Sequence, residues 1–130
     1  MKRAWLKDAS WTVVTELNRQ LCAQKKAQHG PTSDGHAPAQ RFWNERHGQS
    51  LSLGELAELC HTCHRLAPFL NFNGNTFVAV ARQAVVALNL PPAQAAVLRS
   101  LIGHIVAGTA EAPEHAQFLK LVQAIGPHRP

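Results

Sequence analysis

The 130-residue chain has no tyrosine, one methionine and an odd number of cysteines, three. Each scarcity excludes something. Three cysteines cannot pair off into a disulfide framework and suit a reducing compartment, so a cytoplasmic protein is expected. After Met1-Lys2-Arg3, Lys7 and Asp8 interrupt the apolar stretch too soon for a secretory signal. The longest nearly apolar segment, around Thr76–Leu90, contains Arg82 and Gln83, so no membrane span and no membrane partner are expected. A Gly-rich phosphate loop, a Gly-x-Ser-x-Gly elbow and a His-Glu-x-x-His motif are all missing. The eight acidic residues form no spaced pair suited to acid–base work, so nothing supports catalysis.

Charged residues make up 16% and apolar residues 45%, too little charge for a disordered chain and enough apolar surface for one core. The length suits a single domain, residues 1–130. With aromatics sparse and Ala, Leu and Val plentiful, that core is expected to form from aliphatic stripes on helices. The net charge of +5 is uneven. Residues 1–46 hold eight Lys or Arg against four Asp or Glu. A basic N-terminal third suits an acidic partner or a nucleic acid, although the charges are scattered.

The periodicity predicts an all-α bundle of about five helices and one short helical segment. The first helix starts near Ser10, with Asp8 and Ser10 competing as caps, carries Trp11, Val14, Leu17, Leu21 and Cys22, has Lys25 and Lys26 in its last turn, and ends at Gly30-Pro31. Residues 30–39 read as an exposed, mobile loop. A short segment, Pro38 to His47, carries Phe42 and Trp43. Ser52-Leu53-Gly54-Glu55 matches a capping box that opens a helix to about Leu66. Asn75 or Thr76 is expected to cap a helix over about 76–88 that is apolar nearly all round and therefore central, with positive φ supplied by Asn73-Gly74. The next helix runs from Pro91-Pro92 to about Val106 and closes at Gly108, with Gly103 placed for a close helix approach. The last begins near Pro113 and ends at Gly126, leaving a loose tail, 127–130.

One cluster is chemically suggestive. Cys60-His61-Thr62-Cys63-His64 contains the Cys-x-x-Cys-His spacing of c-type haem attachment, two thiols for the vinyl groups and an axial His. Covalent attachment normally follows export, and the usual second ligand is available only as Met1, so haem is disfavoured. Zinc is the second reading. Cys60, Cys63 and His64 share one helical face at i, i+3 and i+4, with Cys22, His61 or His104 as candidates to complete the set. The third reading, preferred here with no cofactor, is packing: Leu56, Leu59, Cys60, Cys63, Leu66 and Ala67 form a continuous stripe. His61 then points roughly 140° from Leu56, towards solvent. A redox dithiol fits poorly, because both cysteines lie two turns or more inside the helix rather than at its N-terminus.

Other residues suggest surfaces. Asn71, Asn73 and Asn75 alternate with aromatics on a tight turn, where turn geometry competes with ligand binding as their purpose. Trp5, Trp43, Arg41 and Arg46 bring the residue types of binding hot spots to the N-terminal third, while Trp11 is expected in the core. Arg82, the one charge on its helix, is expected to pair with Glu55 or Glu58. His104, within an apolar helix, reads as a satisfied side chain. The expectation for function is a small accessory or regulatory protein acting by protein–protein binding, with homo-oligomerisation possible. Alternatives are metal or haem binding at Cys60, Cys63 and His64, and nucleic-acid binding through the basic N-terminal third.

Overall fold

A computed structural model describes residues 1–125. The expected stop at Gly126 and the tail 127–130 lie outside the described residues. The protein is an all-α bundle of six helices: α1 (Trp11–Gln24), α2 (His36–Arg46), α3 (Leu53–Leu66), α4 (Asn73–Val86), α5 (Pro92–Ala107) and α6 (Ala112–Ile125). Among the described residues there are no strands, only two isolated antiparallel bridges, Arg3 with Leu51 and Pro31 with Phe69. No helix of the described residues is long and apolar enough to cross a membrane.

Local chemistry sets the helix ends. Ser10 prevails over Asp8 at the start of α1, accepting from the Val13 amide at 3.3 Å. α1 stops at Gln24, short of the expected Gly30, because Lys26 adopts φ 53° and the chain reverses there. Ala27 N donates to Cys22 O at 2.8 Å and Lys26 N to Ala23 O, the paired bonds of a Schellman ending built without glycine. Lys25 and Lys26 therefore lie beyond the last turn. The capping box at α3 is complete: Glu55 N donates to Ser52 Oγ at 3.0 Å, and Ser52 N donates to Glu55 Oε1 at 2.9 Å.

α4 begins three residues before the expected Thr76. Phe72, at φ 61°, takes the positive φ assigned to Asn-Gly, and Thr76 sits in the first turn with its hydroxyl donating to Phe72 O at 2.8 Å. Residues 30–39 also differ from expectation. Gly35 is buried and α2 starts at His36. Thr32 is tied to the end of α3, its amide donating to Pro68 O at 2.9 Å and its hydroxyl to Ala67 O at 2.7 Å.

α4 is central, packed against α1, α3 and α5. An aromatic nucleus lies where α1, α2, α4 and the turn before α4 meet. Trp11 stacks on Phe69 at 5.5 Å between ring centroids, and Trp43 lies 5.8 Å from Phe77. The first ten residues form a strap rather than a free end. Arg3 and Leu51 exchange backbone bonds at 3.0 and 2.8 Å, Trp43 Nε1 donates to Ala9 O at 2.7 Å, and Leu6 is 2% exposed.

Candidate functional site

The Cys/His cluster on α3 is pulled in two directions by its neighbours. Cys60 and Cys63 are both fully buried, and Cys63 Sγ is 3.8 Å from the Ala39 carbonyl of α2. Burial pushes both thiols up, Cys63 to about 12, and the nearby Cys63 adds to the rise at Cys60. Protonated, dry thiols pack as small hydrophobes. The two histidines turn away from them. His61 does not face solvent as expected: its Nδ1 lies 2.9 Å from the Val106 carbonyl of α5. A carbonyl only accepts, so Nδ1 carries a proton and Nε2 is the ring nitrogen left uncommitted. His64 lies against Gly74, where an added Cβ would sit 3.3 Å from the imidazole Cε1.

The other candidate ligands are elsewhere. Cys22 of α1 is buried with its Sγ 3.7 Å from Asn18 Oδ1, and His104 Nδ1 is 2.6 Å from Glu114 Oε2. Among the described residues no group of three His, Cys, Asp or Glu side chains is placed to hold a metal ion. Cys60, Cys63 and His64 do not fit zinc, and thiols with no exposed surface do not fit covalent haem.

The other suggested surfaces are partly consumed by the fold. Asn71 Nδ2 donates to Gln28 O at 2.8 Å. Asn73 accepts from Phe69 N and donates to Phe69 O, at 2.9 and 2.8 Å, so these two amides secure the turn, and Asn75 alone of the three is exposed. Trp43 is 0% exposed and is core, not interface. Arg41 is exposed on the outer face of α2, whereas the Arg46 Nε is buried beside Phe42, Glu55, Glu58 and Leu59. Arg82 is exposed and does not pair with Glu55 or Glu58. It crosses to α5, donating from Nε to Arg99 O at 3.1 Å, and its guanidinium rather than a helix backbone covers Gly103.

Trp5 keeps a place at a surface. It is half-buried, its Nε1 donates to Leu51 O at 2.7 Å, and Arg3 lies 5.2 Å over its ring. It forms one end of a groove of about 440 Å³ between the strap, α1 and α4. The strap contributes Trp5, Leu6 and Ala9, α1 contributes Val13 and Leu17, α4 contributes Ala79, Val80 and Ala84, and Ala87 follows at its C-cap. Asp8 and Gln83 are its two polar residues. Val13 is 48% exposed within it.

No family model, curated protein or solved structure matches the chain.

Function must therefore be argued from the groove's own chemistry. One carboxylate and one amide among nine apolar side chains offer no acid–base pair, and they do offer surface that gains by leaving water. Ala79 and Ala84 of α4 present only methyl groups to the groove. The residues carrying this surface were legible only as an ambiguity. A helix apolar nearly all round can be fully enclosed or can leave part of one face in water, and among the described residues the α4 face beside α1 and the strap stays open as a groove.

Proposed function

We propose that this protein is a small accessory or regulatory subunit that acts by binding another protein, which lays an apolar helix into the groove between the strap, α1 and α4. The observation that carries this reading is Val13, an aliphatic side chain half in water in a groove where only Asp8 and Gln83 are polar. Grooves lined by small and aliphatic residues are a recurrent way of receiving an amphipathic helix. Three free, buried cysteines support placing this action in the cytoplasm. The nucleic-acid alternative finds less support, because burial of Trp11 and Trp43 leaves Trp5 as the one tryptophan with ring surface for stacking.

The test is quantitative affinity capture from the native cell with the wild type, Val13→Asp and, on another face, the exposed Val97→Asp. One protein is expected at a fixed ratio with the wild type and Val97→Asp, and absent with Val13→Asp. Sedimentation of the pure protein covers the case of a second copy as partner. Identical capture profiles for all three proteins, with a monomer throughout, would sink the proposal.

A further inference from the structure

A second groove, unrelated to the first, opens where α3 and α6 both lean on α5 without closing on each other. Its floor is Ile105 and Gly108, and its volume is about 480 Å³. Along the α3 wall, Gly54, Ala57, His61 and Arg65 follow one another at helical spacing, so the wall is about 16 Å long. The α6 wall supplies His115, Phe118 and Leu119.

The lining is divided by chemistry. His61, Arg65 and His115 are nitrogen groups, and Ala57, Ile105, Phe118 and Leu119 are apolar. Arg65 is exposed and has no carboxylate within ion-pair distance among the described residues. Glu58 also lines the groove, and it shares a small cavity with Arg46. Leu119 is 58% exposed, the most exposed large apolar side chain among the described residues.

His61 is held as a presented group. Its Nδ1–H is committed to the Val106 carbonyl, which fixes the ring and leaves Nε2 as the free nitrogen. Gly108, at φ 80°, lies close enough that a Cβ there would be 3.0 Å from the His61 Cε1. Backbone strain and contact together thus require glycine beneath the ring. His115 follows in the first turn of α6, directly after the turn that Gly108 begins.

We propose that this groove binds an amphiphilic carboxylate with a straight apolar chain of about ten carbons. The Arg65 guanidinium takes the carboxylate beside the rings of His61 and His115, and Ile105, Phe118 and Leu119 line the path of the chain. An extended chain of that length fits within the α3 wall. Arg65 is the residue suited to the head, since its planar fork fits a carboxylate and keeps its charge at any physiological pH.

The experiment titrates the full-length protein with decanoate, below its micellar concentration, and follows the histidine ring signals by two-dimensional NMR. Saturable shifts at His61 and His115 are expected, with acetate and decanol each at least about tenfold weaker. Arg65→Gln, an exposed substitution that leaves the core intact, is expected to weaken decanoate at least about tenfold. Leu119→Asp does the same from the other end. Shifts that never saturate, shifts that spare His61 and His115, or equal binding by Arg65→Gln would each overturn the proposal.

Discussion

Asn18 of α1 and Thr76 of α4 meet in the core, the amide Nδ2 donating to the threonine hydroxyl at 3.0 Å, with both residues at 0% exposure. The same Nδ2 donates to Asn71 O at 2.8 Å, and Asn18 Oδ1 receives the Cys22 thiol. One side chain thereby holds α1 against the turn before α4. Asn18→Leu strands the Asn71 carbonyl and removes the tie between helices, so a loss of about 1–3 kcal/mol is expected in urea unfolding. Thr76→Val should cost less, and the double variant should show a coupling of about 0.5 kcal/mol or more.

The thiols make a second prediction. Cys60 and Cys63 are 0% exposed and Cys22 is 1% exposed. With two of them also held protonated by burial, an aromatic disulfide reagent should modify no cysteine of the native protein and all three in guanidinium. Chelators should leave the helical signal unchanged, whereas a chelator-induced loss of helix would restore the zinc reading.

Acid should weaken the fold in two stages. Burial pushes His64 below the ordinary value of 6.5, and His61 and Arg65 act in the same direction, partly offset by the Ala107 backbone. The folded state then binds fewer protons than the unfolded chain, so stability falls as pH drops below 6.5 and levels off once the folded value is passed. His64→Gln should flatten this first stage in chemical denaturation. Below about 4.5 a second loss follows from Glu16, Glu55 and Glu114, whose values are lowered chiefly by Arg19, the Ser52 backbone and His104 respectively.

Two glycines should respond oppositely to alanine. A Cβ at Gly35 would sit 1.9 Å from Leu66 O and 2.6 Å from Ala67 O, both backbone atoms that cannot move aside cheaply. Gly35→Ala should cost about 3 kcal/mol or more. At Gly103 the obstacle is the end of the exposed Arg82 side chain, which can swing away. Gly103→Ala should be close to neutral, because up to about 1 kcal/mol of helix propensity offsets the lost contact.

Much of the architecture was legible in the residues themselves. The Ser52/Glu55 box, Pro92 at the start of α5, Gly108 at its end and the stripe through Cys60 and Cys63 act within a few residues of one another. Their physics is local. The candidate site was less legible, and for a consistent reason. Lys26 and Phe72 adopt left-handed backbone that their residue types do not advertise, so the ends of α1 and α4 were misplaced. Trp43 reads as an exposed aromatic until the strap closes over it and offers the Ala9 carbonyl.

The sequence by itself determined an all-α fold with α4 at its centre, because helical periodicity and capping are encoded in neighbouring residues. Only the tertiary structure decided what the polar and half-apolar side chains do. Asn18 and Asn71 found carbonyls or a hydroxyl across the chain, and His61 found Val106. Among the described residues, one edge of α4 stayed open as a groove beside α1 and the strap. Such outcomes depend on which groups the fold brings within about 3 Å, and no local pattern carries that distance.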